Sequence, residues 1–169
     1  MRNWYVLHVR TGEEIAVRDL IRKNLPSVDA IAPQRLMRER KNGIWKERVR
    51  TVFVGYVFVQ SIMNPEMYYK LTGLTGVINI LKDVSSSPTP VPLEEMEFVL
   101  RFAKDDDLAG ISDLVVDGDM VKVLSGPLQG YEGQIVKVDK RRFRAKVSFN
   151  LMGQEKFIEL GINVVEKKV

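Results

Sequence analysis

The chain has 169 residues, 45% of them hydrophobic and 28% charged, the make-up of an ordinary water-soluble globular protein of one medium or two small domains. It has no cysteine and a single histidine, which excludes a disulfide framework and thiolate metal sites. No apolar run approaches the ~18 residues of a membrane span, and the N-terminus MRNWYVLHV is too short and too polar at its flanks for a signal peptide; a cytoplasmic location is expected.

The net charge of +4 is unevenly spread. Residues 1–104 carry 16 basic and 11 acidic side chains, 105–116 carry four Asp and no base, and 117–169 carry 10 basic and 7 acidic. Two basic bodies joined by an acidic linker point to contact with nucleic acid.

Asn3–Val9 alternates as a strand, with Tyr5, Leu7 and Val9 on one face and Trp4, Val6 and His8 on the other. Thr11-Gly-Glu-Glu14 has the spacing of a capping box, in which the Thr hydroxyl accepts from the Glu14 amide and the carboxylate reaches back. The helix behind it runs to about Leu25, with Val17, Leu20 and Ile21 buried, and Pro26 ends it. A second strand is expected around Val28–Ala32.

Leu36 to Val52 reads as a β-hairpin closed at Asn42-Gly43. A two-residue turn there sets Glu39 against Lys46, Arg38 against Glu47, Arg40 against Trp45 and Leu36 against Val49. Residues 35–50 still hold seven basic against two acidic side chains. Phosphate contact by a projecting basic ribbon accounts for that excess; a solvated charged edge that discourages aggregation is the plain alternative.

Val52–Gln60, VFVGYVFVQ, is a near-continuous apolar run and reads as a central strand. Asn64 and Pro65 open a short helix, a strand is expected at Val77–Leu81, and SSSPTPVP marks a loop. A last helix from Leu93 to about Lys104 places Met96, Val99 and Leu100 inward. The first 104 residues are thus an α+β sandwich, residues 105–116 a loosely packed linker, and residues 117–169 a small all-β barrel. The barrel strands fall at Met120–Leu124, Gly133–Val138, Phe143–Phe149, Glu155–Glu159 and Asn163–Val165.

In Phe143–Phe149 the apolar set Phe143, Ala145, Val147 and Phe149 alternates with Arg142, Arg144, Lys146 and Ser148. With the apolar set in the core, the bases form an outward row. Lys137, Lys140 and Arg141 sit beside it, and only Asp139 opposes the cluster. RNA contact through Lys137, Lys140, Arg141, Arg142, Arg144 and Lys146 is the expectation; a solvated charge run is the alternative. The chain carries no Walker loop, dinucleotide fingerprint or metal-ligand cluster, so no enzyme activity, metal or cofactor is expected.

NWYVLHVRTGEE, FVGYVFVQ and VKVLSGPLQGYEGQIVKVD, in this order and spacing, resemble the opening strand and helix, the central strand and the KOW motif of the NusG family of transcription elongation factors. The resemblance covers nearly the whole chain. It implies an N-terminal domain that binds RNA polymerase through His8, Phe53, Tyr56 and Phe58, with Tyr68, Tyr69 and Lys70 facing the other large subunit. It also implies that the hairpin, with Arg38, Arg40, Lys41, Trp45, Lys46 and Arg48, points to the upstream DNA fork.

Val54 stands where the family usually has Pro, and KVDKRRFRAKV is more basic than usual. Short length and this basicity make the chain look like the specialised operon antiterminators of the LoaP type, which implies a structured leader RNA as partner. Two alternatives stay open. One is a general NusG factor, whose barrel tip near Met152 contacts a termination helicase or ribosomal protein; the other is a ribosome-associated KOW protein.

Overall fold

The computed structural model describes residues 1–166. In chain order the elements are β1 (Asn3–Val9), α1 (Glu14–Asn24), β2 (Asp29–Ile31), β3 (Gln34–Lys41), β4 (Ile44–Thr51), β5 (Tyr56–Ser61), α2 (Pro65–Thr72), β6 (Val77–Ile80) and α3 (Leu93–Arg101). There follow β7 (Leu108–Ala109), β8 (Ser112–Asp117), β9 (Met120–Ser125), a 3-10 turn at Glu132–Gln134, β10 (Ile135–Asp139), β11 (Arg144–Leu151) and β12 (Gln154–Val164). They form two compact units. The first comprises Met1–Ala32, Phe53–Val99 and Leu151–Gly153, and the second Pro33–Val52, Leu100–Asn150 and, among the described residues, 154–166.

The first unit is built on a sheet of order β2-β5-β1-β6. Alternation sends Tyr5, Leu7 and Val9 of β1, with Val57 and Val59 of β5, to one face, where they meet Val17 and Ile21 of α1 and Leu71 of α2. The other face carries Val6 opposite Phe58 and His8 opposite Tyr56 in antiparallel register. Asn64 caps α2 as expected, its side-chain oxygen accepting from the Met67 amide at 2.8 Å. The Thr11 capping box does not form. Glu13 is the N-cap residue without a side-chain bond, because the Glu14 carboxylate is drawn away to the amides of Gly12 and Gly55, each at 2.9 Å.

The apolar run from Val52 becomes strand only at Tyr56. Gly55 sits at φ +85°, a left-handed conformation that breaks the extended chain. In α3 the buried set is Met96, Phe98 and Val99, followed by Phe102 just past its end, while Leu100 is exposed.

The second unit holds the hairpin sheet, order β4-β3-β7, and a five-stranded sheet of order β10-β11-β12-β8-β9. The expected hairpin register is observed at all four pairs, with Asn42 and Gly43 at φ +53° and +78°. That double left-handed turn is the one whose twist matches a hairpin.

The segment 105–116 is not a plain linker. Ser112 and Leu114 are buried in β8, which runs parallel to β12 and antiparallel to β9; its Asp113 and Asp117 mask an alternating strand. The five strands make a half-barrel, since β9 and β10 lie at opposite ends of the sheet order. β12 is one continuous strand across the two short runs expected there. Gly161 on β12 lies so close to the Leu36 carbonyl of β3 that a Cβ there would collide with it.

Candidate nucleic-acid interface

The hairpin keeps its register but changes its partners. Glu39 turns from Lys46 to Arg50, making two charge-assisted bonds of 2.7 Å. This fork-like pair, with the hydrogen bonds from Arg50 as the main cause, lowers the Glu39 pKa. Trp45 does not rest on Arg40 but meets Phe143 edge-to-face, with centroids 5.0 Å apart at 83°. Arg38 lies over the same Phe143 ring, 4.8 Å from its centroid. Arg40, Lys41, Lys46 and Arg48 remain exposed.

On the half-barrel the alternation holds from Arg144 onward, with Ala145, Val147 and Phe149 buried. Phe143 departs from it. It precedes β11 at φ +56°, and its ring belongs to the contact with Arg38 and Trp45 instead of the core. Such a backbone conformation in a bulky residue costs about 1–3 kcal/mol and persists only where the surroundings enforce it. The turn before it is shaped by Asp139, whose carboxylate accepts from the amides of Arg141 and Arg142 at 3.1 Å.

The six bases assigned to the barrel fall into two groups. Lys137, Lys140, Arg141, Arg142 and Lys146 are exposed. Arg144 is not part of an open row: its side chain is 22% exposed and its Nη1 donates to Glu159 at 3.1 Å. Burial, only partly offset by Glu159 and reinforced by Arg144, lowers the pKa of Arg35 from its ordinary value to about 10. Arg35, Arg50, Glu39, Arg144 and Glu159 therefore form a structural charge network, a role that the sequence alone did not assign to Arg35 or Glu159.

Lys137 stands directly opposite Lys146 in the β10–β11 register, and Lys146 lies over the exposed ring of Phe157 at 4.5 Å. Like charges facing across a strand pair destabilise it. A bound phosphate would remove that repulsion.

In the first unit, His8, Tyr56, Phe53 and Phe58 gather on the sheet face away from α1 and α2. His8 and Tyr56 are half-buried with tilted rings 6.1 Å apart. Phe53 and Phe58 are both buried and meet edge-to-face at 5.2 Å. On α2, Tyr68 and Tyr69 are edge-to-face at 5.4 Å, Tyr69 is 71% exposed, and Lys70 pairs with Glu66 at 3.1 Å. Among the described residues no group of three or more His, Cys, Asp or Glu is placed to hold a metal ion, and no helix is long and apolar enough to cross a membrane.

Residues 2–100 match the family model described as transcription termination factor NusG, and residues 118–148 match the KOW motif. The chain belongs to the NusG family. It is 30% identical to the transcription termination/antitermination protein NusG of Halalkalibacterium halodurans and 29% to that of Bacillus subtilis, each alignment covering 98% of both chains. A solved structure described as domain interaction in Thermotoga maritima NusG superposes with a TM-score of 0.61 at 28% identity, covering 95% of this chain and 94% of that one. The α+β and all-β KOW architecture is therefore that of a NusG protein.

Proposed function

We propose that this NusG-family protein binds RNA polymerase and promotes processive antitermination on particular operons, with its KOW half-barrel contacting a structured leader RNA. The observation that carries the RNA contact is the Lys137–Lys146 opposition beside Phe157, within a cluster that also exposes Lys140, Arg141 and Arg142. Like charges facing each other on an exposed strand pair fit a polyanion.

Polymerase engages the first unit, in this reading, through the half-buried His8 and Tyr56, backed by the buried pair Phe53 and Phe58. Tyr68, Tyr69 and Lys70 make a second contact, and the exposed hairpin bases reach upstream-fork DNA. The functional division follows as 1–104 for polymerase binding and 117–169 for the KOW domain, although the hairpin packs as part of the second unit. Crosslinking the protein to RNA in cells and sequencing what is recovered tests the specific role. Recovery of leaders from a few long operons is expected, and uniform recovery of all transcripts would replace it with a general one.

A general role is favoured by one finding, the full-length match to relatives named for both termination and antitermination. In that reading the β11–β12 turn at Met152, held at φ +53°, meets a termination helicase or ribosomal protein. Pull-down of those proteins, undiminished by loss of Lys137 and Lys146, would favour it.

A further inference from the structure

The two basic clusters, expected to serve separate ligands on separate domains, meet in the second unit. Their junction is a cleft of about 300 Å³ lined by Arg38, Trp45, Lys46, Glu47 and Phe143. The barrel turn Lys140-Arg141-Arg142 leads directly into Phe143, and all three bases are exposed. Phe143 is held to the hairpin by its left-handed backbone, by the Arg38 guanidinium over its ring and by the edge-to-face contact with Trp45. Its carbonyl is also fixed, accepting from the Ile162 amide at 3.0 Å.

We propose that this cleft is a base-stacking site for a single-stranded polynucleotide, in which an unpaired base lies on Trp45 while Lys140, Arg141, Arg142 and Lys46 hold the flanking phosphates. The proposal rests on the reading that the basic face of the half-barrel binds RNA, and adds to it the hairpin as the second wall. Three features favour a base over other occupants. Trp45 is 41% exposed although it already has one aromatic neighbour, so a broad ring surface stays open to solvent. Arg38 already occupies the Phe143 ring, leaving Trp45 as the platform; a base stacked there meets Phe143 at the edge-to-face angle aromatic rings prefer.

Glu47 in the lining would repel phosphate and could accept from the amino group of a nucleobase, leaving the phosphates to Lys46 and to the exposed Lys140-Arg141-Arg142 turn that leads into Phe143. Base–aromatic stacking tolerates any sequence because every base has a π-face. The cleft therefore supplies affinity for unpaired nucleotides and leaves sequence choice elsewhere.

The chain has two tryptophans, Trp4 and Trp45, which makes the test direct. In full-length Trp4→Phe protein, emission comes from Trp45 alone. Titration with a single-stranded 12-nucleotide oligoadenylate, as RNA and as DNA, should quench it saturably, and duplex of the same length should not. Trp45→Phe, whose emission comes from Trp4, should show no quench yet bind nearly as well as wild type. Trp45→Ala should lose roughly tenfold in affinity by anisotropy of the labelled oligonucleotide.

Quenching by RNA alone assigns the occupant as RNA, and quenching by both as either strand; each supports the cleft. Binding without quench, at an affinity that Trp45→Ala leaves unchanged, overturns the cleft while the RNA role of the half-barrel stands. No binding of single-stranded or leader RNA at low salt overturns both.

Discussion

Glu14, in the first turn of α1, accepts a hydrogen bond at 2.9 Å from the amide of Gly55, which lies 41 residues further along the chain. The same buried carboxylate accepts from Gly12, so it ties the start of α1 to the left-handed turn that launches β5. Phe53 and Tyr56 flank that turn. Glu14→Ala leaves two amides without their acceptor, and an unsatisfied buried polar group costs about 1–3 kcal/mol. Urea unfolding of the variant should show a loss of that order, and Glu14→Gln, which keeps one acceptor oxygen, a smaller one.

The aromatic face of the first unit divides by burial, and substitutions should divide with it. Phe58 has no exposed surface, so Phe58→Ala is a core truncation expected to cost about 3–5 kcal/mol. Tyr56 is half-buried beside His8. Tyr56→Ala should weaken co-purification with polymerase at least tenfold while shifting the melting temperature by only a few degrees. Equal unfolding by both variants would make Tyr56 a core residue and remove it from the polymerase face.

The Glu39–Arg50 pair predicts a pH dependence. Glu39 has a folded pKa below its ordinary 4.5, so the folded state holds the carboxylate more firmly than the unfolded chain does. Its stabilisation is complete above about pH 4.5 and disappears as pH falls through the lower, folded pKa. Because Arg50 is 52% exposed and Glu39 30%, solvent screening limits the effect to about 1 kcal/mol or less. Glu39→Gln should be less stable than wild type at pH 7, with the gap closing toward pH 3 in thermal melts.

Salt titration of RNA binding should separate the barrel bases. Each exposed base that neutralises a phosphate contributes about 0.7 to the slope of log K against log salt for single strands. Lys140→Ala, Arg141→Ala and Arg142→Ala should each weaken RNA binding and flatten that slope. Arg144 is committed to Glu159, so Arg144→Ala should lower stability with little change in slope. A flattened slope for Arg144→Ala alone would place the phosphate contact at that residue instead.

Local rules reached far into this fold. The Asn42-Gly43 turn fixed the hairpin pairing, and strand alternation identified the buried face of β1 and of β11 from Ala145 on. Two kinds of information stayed hidden. One was competition between equivalent partners. Glu39 has bases at positions 46, 48 and 50 within reach on one face, and only the geometry of the folded pair selects Arg50. The other was contact between distant segments. Phe143 continues the apolar alternation of β11, so sequence places it in the core; its left-handed backbone and its seat against Trp45 depend on β3 and β4, about a hundred residues earlier. The strand at β8 was missed for a simpler reason, since its acidic flanks resemble a linker while its buried Ser112 looks polar.

Gly161 meets the Leu36 carbonyl with no side chain between them. Backbone seated on backbone leaves no layer of adaptable side chains between β3 and β12, so any residue larger than glycine at position 161 would force the two strands apart.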